Sequence, residues 1–503
     1  MGFDLLSDLA LGLQTALLPY NLFYCFIGVL LGTLVGVLPG VGPTATIAML
    51  LPLTFSLSPE TSLIMLAGIY YGAQYGGSTT AILINLPGEA SSAVTAVDGY
   101  QMARNGRAGA ALATAAIGSF VAGTIATLVI AMLAPPLTMV ALQFGPTEYF
   151  SLIVLGLVAS IALAHGSILK ALAMIVLGLL LGMVGTDLYT GMQRYTFGHF
   201  ELSDGINFVA LAVGLFGVSE ILRNLEHERG REVLTLKIGS VMPTRAELKA
   251  SVAPILRGTA IGSILGVLPG GGALLASFAS YAAEKKISPT PERFGHGAIE
   301  GVAGPEAANN AGAQTSFIPM LTLGIPSNAV MAMMVGAMII QGIIPGPNVM
   351  TERPDLFWGL IASMWVGNVM LLLLNLPLVG LWVRLLTIPY QVLFPAIMVF
   401  SAIGVYSINS NTFDVFALLA LGFVGYILTK LDCEPAPLLL GFVLGPLLEE
   451  HLRRAMMLSR GDPMVFITHP ISAGLLITAC IFLFVVTRPS IASKRSEVFE
   501  ETD

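Results

Sequence analysis

Apolar runs of roughly 20 residues, the length a helix needs to cross a hydrocarbon core, recur along this chain. Continuous runs cover residues 108–133, 147–164, 168–186, 206–221, 355–376, 391–408, 412–430 and 470–487. Four further stretches are apolar but interrupted. Residues 21–57 break at Pro39-Gly40-Val41-Gly42-Pro43, residues 60–88 at Gly76-Gly77, and residues 252–283 at Pro269-Gly270-Gly271-Gly272. Residues 298–345 break at Gly304-Pro305 and again at Gly324-Ile325-Pro326-Ser327. Broken backbone survives at membrane depth only when it is buried in protein or lines a wet cavity. The pattern predicts an all-α polytopic membrane protein of about 10–12 spanning helices, some of them re-entrant or discontinuous.

The interruptions repeat. Laid on residues 258–272, residues 28–42 match at eight of fifteen positions: Gly28, Gly32 and Gly36, then Val-Leu-Pro-Gly, then Gly42 against Gly272. Gly72-Ala73-Gln74 recurs as Gly312-Ala313-Gln314, and Leu86-Pro87-Gly88-Glu89-Ala90 as Ile325-Pro326-Ser327-Asn328-Ala329. Two halves are therefore expected, at 21–221 and 252–487, each with a Pro/Gly-broken hairpin and a discontinuous polar helix. A short segment (1–20) precedes them, a charged loop (222–251) joins them, and a polar tail (488–503) follows. Whether the halves run in the same or opposite directions is left open by the sequence.

Composition narrows the class. Of 503 residues, 55% are hydrophobic and only 11% charged, against ~25% charged in a soluble domain. A soluble enzyme, a nucleic-acid binder and a disordered chain are excluded, and the partner to expect first is the lipid bilayer. Glycine, at 55 residues, is frequent, as in membrane proteins whose helices pack closely or break. The N-terminus lacks a basic n-region, so no cleaved signal peptide is expected. Seven bases (Arg223, Arg229, Arg231, Lys237, Arg245, Lys249, Arg257) mark the joining loop as cytoplasmic under the positive-inside rule. Arg488, Lys494 and Arg495 suggest the same side for the C-terminus.

Paired broken segments in corresponding positions of two halves point to a transporter's binding site. A helix interrupted inside the membrane presents free N–H groups with about half a positive charge. These can hold a carboxylate without a buried lysine, while carbonyl ends and hydroxyls can coordinate Na+. The candidate tips are Pro39, Gly40, Gly42 and Thr44 in one half and Pro269, Gly270, Gly271 and Gly272 in the other. The Gly28/Gly32/Gly36 stripe reads instead as a close-packing face. The candidate polar helices carry Gln74, Gly76, Gly77, Ser78, Thr79 and Thr80, and Glu306, Asn309, Asn310, Gln314, Thr315 and Ser316. Pro305 is a helix-start signal, and Glu306, Asn309, Asn310 and Gln314 then share one helical face. Hydroxyls and amides suit carboxylate and Na+ chemistry, although they also serve as interhelical glue. Glu306 could balance a coupling cation or simply cap its helix.

Six histidines are scattered without a metal-site spacing, and Walker A and Gly-x-Ser-x-Gly sequences are absent. No cofactor is expected beyond a coupling Na+ or H+. Three cysteines (Cys25, Cys433, Cys480) lie too far apart in sequence to suggest a disulfide framework.

Four motifs resemble the large transmembrane subunit of the tripartite tricarboxylate transporter family, of TctA type. They are Gly36-Val-Leu-Pro-Gly-Val-Gly-Pro-Thr44, Tyr71-Gly72-Ala-Gln-Tyr-Gly-Gly-Ser-Thr-Thr80, Gly266-Val-Leu-Pro-Gly-Gly-Gly272 and Gly304-Pro-Glu-Ala-Ala-Asn-Asn-Ala-Gly312. The resemblance extends from about residue 20 to residue 487. It implies a bacterial inner-membrane secondary transporter, not an enzyme, with two partners: a small transmembrane subunit and a periplasmic solute-binding protein that delivers a carboxylate. Importing a dianion against ~100 mV, inside negative, costs about 2 × 2.3 kcal/mol. Without an ATP motif, co-moving Na+ or H+ must offset it. The alternative reading is an ion channel or an intramembrane enzyme.

Overall fold

The computed structural model describes residues 4–38, 41–163, 167–187, 189–226, 242–268, 272–385 and 390–486. The tip residues Pro39, Gly40, Pro269, Gly270 and Gly271, most of the joining loop (227–241) and the C-terminal tail lie outside the described residues. Apart from one two-stranded ribbon, Gly185–Thr186 with Gln193–Arg194, the described secondary structure is helical, as an all-α membrane protein requires.

The first half begins with α1 (Leu5–Ala16), α2 (Pro19–Gly36), the short α3 (Pro43–Leu50) and α4 (Pro59–Ile84). It continues through α5 (Ala93–Met102), α6 (Ala108–Ala141), α7 (Pro146–Leu163) and α8 (Ile168–Gly182). Beyond the ribbon, α9 (Phe208–Ala212) and α10 (Ser219–Glu226) are joined by a π turn into one apolar length. The second half opens with α11 (Arg245–Leu265), α12 (Gly272–Ile287), α13 (Glu300–Thr315) and α14 (Phe317–Leu323). It goes on through α15 (Ala329–Ile340), α16 (Val349–Glu352), α17 (Pro354–Asn375), α18 (Val379–Leu385) and α19 (Tyr390–Asn409). The last elements are α20 (Thr412–Lys430), α21 (Pro435–Leu458), α22 (Val465–Thr468) and α23 (Pro470–Val486).

Backbone contacts reveal how each half is built. A Cβ built on Gly28, Gly32 or Gly36 of α2 would collide with the backbone of Met65, Ile69 or Ala73 of α4, in that order. Equal steps along both helices mean that α2 and α4 run parallel, so the chain must return between them. The return is α3 with a 3-10 turn at Leu51–Thr54, too short to reach across the membrane. The second half does the same: Gly258, Gly262 and Gly266 of α11 lie against Gly304, Ala308 and Gly312 of α13, and α12 carries the chain back. We call α4 and α13 the inner helices; a left-handed residue follows α4 at Asn85 (φ 56°) and follows α13 and α14 at Gly324 (φ 72°). A proline-containing turn, a short helix (α5 or α15) and a long outer helix (α6 or α17) follow.

The two halves run in opposite directions. Ser78, near the end of α4, reaches Glu306, near the start of α13, whereas Tyr70 and Tyr71 lie against Phe317 further along. Going backward on α4 is going forward on α13. We call the face holding the ends of α10 and α11 that flank the joining loop the base face; ion pairs Arg107–Glu247 and Lys430–Glu226 sit there. The opposite, far face holds the ribbon, with Arg194–Glu449, Arg453–Asp187 and Arg353–Glu60. At the Asp187 turn, the Tyr189 N–H, the Thr190 hydroxyl and Arg453 together hold the carboxyl below its usual range. The α2–α3 hairpin thus enters from the far face and the α11–α12 hairpin from the base face.

Two expectations change. Gly76-Gly77 does not break its helix: α4 is continuous from Pro59 to Ile84. The missing side chains instead allow close approach, since a Cβ on Gly76 would strike Gly36 and Val37 of the hairpin. Gly304-Pro305 is likewise interior to α13, and the discontinuities fall at Ser316 and at Gly324–Asn328. A proline ring crowds the carbonyl four residues earlier. Here that residue is Gly301, in the first turn, where the helix is loosest. The 1–20 segment also joins the fold, because α1 packs on α17 with Gly12 against Trp358.

Among the described residues, five helical lengths are both long and apolar enough to span: Pro19–Gly36, Ala90–Ala141, Phe208–Glu226, Pro354–Asn375 and Thr412–Lys430. Helices α4 and α13 are different. They are buried almost throughout and carry amides, hydroxyls and a carboxylate, so their solvent is protein rather than lipid.

Gly32→Val and Gly262→Val should each cost on the order of 3 kcal/mol by forcing apart backbones in contact. Gly474→Ala, whose Cβ meets nothing within 4 Å, should change stability by less than ~0.5 kcal/mol. Thermal melting in detergent reads the difference. Equal melting temperatures for Gly32→Val and wild type would show that the hairpin is not packed on α4.

Candidate functional site

The inner helices cross where their polar faces meet. Glu306, one turn and a half into α13, is 1% exposed. Its Oε2 accepts from Ser78 Oγ of α4 at 2.8 Å, and its Oε1 accepts from Thr95 Oγ1 of α5 at 2.6 Å. One turn on, Asn309 Nδ2 donates to Glu89 Oε1 at 2.8 Å, in the turn that follows α4. Asn310 Nδ2 donates to Ser119 Oγ of α6 at 2.7 Å, and Gln314 Oε1 accepts from Thr127 Oγ1 of α6 at 3.0 Å. One face of α13 therefore contacts three helices of the other half and the turn after α4. Tyr75 OH donates to Asn368 Oδ1 of α17 at 3.1 Å, tying the outer helix of the second half to the inner helix of the first.

Not every candidate residue joins this junction. Thr79 and Thr80 turn back on their own helix, to Tyr75 O and Gly77 O. Thr315 donates to Ala311 O and toward Gly262 O of the second hairpin, and Ser316 donates to Ala313 O. Gln74 is buried and its Oε1 has no partner. Gly77 packs on Gly88, whose N–H approaches Gly77 O at 3.4 Å, so hairpin, inner helix and turn meet backbone to backbone. Gly42 caps α3, Thr44 follows it half-buried, and Gly272 begins α12 against Leu265 and Gly266.

Residues outside the sequence-derived set complete the arrangement: Glu89, Thr95, Ser119, Thr127, Asn368 and Asp98. Ser119, Thr127 and Asn368 share a signal, a polar side chain inside an apolar stretch, expensive in lipid and so turned inward. Asp98 has a structural task. Its Oδ1 accepts the backbone N–H groups of Gly295, Gly297 and Ala298 at 2.8–2.9 Å, and its Oδ2 accepts Tyr281 OH at 2.9 Å. It pins the loop between α12 and α13 to α5 of the other half.

A second concavity opens on the far face, a cavity of about 840 Å³ whose lining includes Tyr149, Phe208, Gly324, Asn348, His451 and Arg454. It is large enough for a small organic acid, mostly apolar, and bordered by the Arg454–Glu450 pair at 2.7 Å.

The model of the tripartite tricarboxylate transporter TctA family matches residues 22–440. The chain belongs to that family. TctA proteins are membrane components of tricarboxylate transporters, and the tripartite description implies further subunits. An Agrobacterium vitis protein described as an uncharacterized 52.8 kDa protein in the TAR-I ttuC′ 3′ region is 68% identical over 500 residues, covering 99% of this chain and all of its own. A second from the same organism, described as an uncharacterized protein in the TAR-II ttuC′ 3′ region, is 66% identical over 242 residues. That match covers 48% of this chain and all of the shorter protein. No solved structure matches this TctA chain.

Asp98→Ala should leave three backbone donors unpaired and destabilise the α12–α13 loop by ~3 kcal/mol or more. Asp98→Asn, which keeps an acceptor oxygen, should do so less. Limited proteolysis at residues 288–299 should rank them alanine, asparagine, wild type. Equal resistance in all three would remove the pinning role.

Proposed function

We propose that this chain is the translocation subunit of a binding-protein-dependent secondary transporter. It imports a tricarboxylate or related carboxylate across a bacterial inner membrane by symport with Na+ or H+. The observation that carries the reading is the buried junction at Glu306, assembled from two oppositely directed halves. Each half contributes a hairpin, an inner helix and an outer helix, and the two hairpins approach from opposite faces. Inverted repeats with midplane sites support alternating access, because rocking one half on the other changes which face reaches the site.

Charge supports the orientation. Arg104, Arg107, Lys170, Arg245, Lys249, Arg257, Lys285 and Lys286 gather toward the base face, which the positive-inside rule makes cytoplasmic. The far-face cavity then opens to the periplasm, where a solute-binding protein would deliver its carboxylate and where Arg454 could meet it. The small transmembrane subunit has lipid-facing surface to bind, such as the exposed side chains of α19 and α20.

Membrane vesicles carrying all three components should take up labelled tricarboxylate saturably, and only with an imposed Na+ or H+ gradient. Vesicles with this chain alone should show little uptake at micromolar carboxylate. Full-rate uptake by the lone chain would contradict binding-protein dependence. Non-saturating flux that ignores the gradient would contradict symport and favour a channel.

A further inference from the structure

Beside Glu306 lies a small cavity of about 20 Å³, against the ~10–15 Å³ that one water requires. Its polar wall is made by Ser78 and Thr79 of α4, Ser119 of α6, Glu306 of α13 and Asn375, the last residue of α17. Asn375 is 6% exposed; its Nδ2 donates to Leu371 O at 2.9 Å, but its Oδ1 has no partner. A buried amide oxygen left unpaired at the edge of a cavity calls for a donor or a cation. No lysine, arginine or histidine lines the space, so nothing there balances the Glu306 carboxylate.

The lining distinguishes among occupants. It offers a carboxylate, an amide oxygen and hydroxyl oxygens, the hard donors that suit an alkali cation. Ser78 Oγ gives its proton to Glu306 and keeps its lone pairs, and Ser119 Oγ accepts from Asn310 with a second lone pair free. Both Glu306 oxygens already accept a hydroxyl, and each keeps a lone pair for an ion. A water-sized space excludes a hydrated ion and suits a bare one.

We propose that this cavity is a Na+ site in which Glu306 supplies the charge and Asn375 Oδ1, Ser78 Oγ and Ser119 Oγ supply neutral oxygens. It rests on the transport reading by naming the coupling ion. Its ligands come from α4 and α6 of one half and α13 and α17 of the other, the corresponding inner and outer helix of each repeat. The site exists only while the halves are docked in this arrangement, so Na+ binding and the rocking of the halves are linked.

The purified full-length chain in detergent, at constant ionic strength, provides the test. Raising Na+ from 1 to 100 mM should lift the melting temperature by several degrees, while K+ and choline should not. Labelled Na+ should bind at one ion per chain. Glu306→Gln and Asn375→Leu should abolish the Na+-specific shift, Ser119→Ala should weaken binding about tenfold, and Ser407→Ala on α19 should leave it unchanged. Equal shifts in Na+ and K+, no bound Na+ in wild type, or full Na+ response in Glu306→Gln would each overturn the site. The wild-type ion comparison stands even if a variant fails to fold. Because the assay needs neither carboxylate nor partner, the two readings fail separately. Proton-driven carboxylate uptake without Na+ binding would remove this site alone. Na+ binding without any carboxylate uptake would remove the transport reading alone.

Discussion

Close approach of backbones at the glycine stripes is the constraint on which the architecture depends. A re-entrant hairpin leaves its tip amides and carbonyls without helical partners, and lipid cannot supply them. The hairpins persist because α2 lies directly on α4, and α11 on α13, with only glycine between the chains at Gly32 and Gly262. Helices lacking side chains at a contact gain van der Waals packing that lipid tails cannot match. That packing surrounds the inner helices with protein, which in turn lets α4 and α13 carry amides, hydroxyls and Glu306 through the membrane interior.

Opposite direction then determines where chemistry collects. Were the halves parallel, the polar ends of α4 and α13 would lie on different faces. Inverted, the Ser78 end of α4 meets the Glu306 end of α13, and the turns after the inner helices fold into the same region. Two carboxylates, Glu89 and Glu306, are drawn together by Asn309, Ser78 and Thr95 without a basic side chain bonded to either. An uncompensated charge is costly in such a place, and the proposed Na+ would supply the counter-charge at Glu306. Asp98, by contrast, is satisfied by backbone donors and has no such need.

Much of this was legible in the sequence, for identifiable reasons. Length and hydropathy locate α6, α7, α8, α17, α20 and α23 to within a few residues at most ends, because charged residues fall only in their first or last turns. The matched Gly-x-x-x-Gly and Pro-Gly segments reveal the repeat, and the glycine stripes of both copies pack alike, on α4 and on α13. Helix α21 escapes the hydropathy pattern because Glu449, Glu450, Arg453 and Arg454 fall within its last turns, where they pair at the far face. Glycine and proline were over-read as breaks at Gly76-Gly77 and Gly304-Pro305, since burial against a neighbour can offset their poor helix propensity. The direction of the second half, and partners such as Thr95, Ser119 and Asn375, depend on tertiary contacts that no local pattern encodes.

The inverted arrangement is most directly tested by sidedness at the bases of the two hairpins. Ser56, after the return arm of the first, and Lys286, at the end of α12 in the second, are both exposed. Single cysteines placed there, in a chain lacking Cys25, Cys433 and Cys480, can be probed with an impermeant thiol reagent in right-side-out and inverted vesicles. The account requires Ser56→Cys to react only from the periplasmic side and Lys286→Cys only from the cytoplasmic side. Reaction of both from the same side would contradict it.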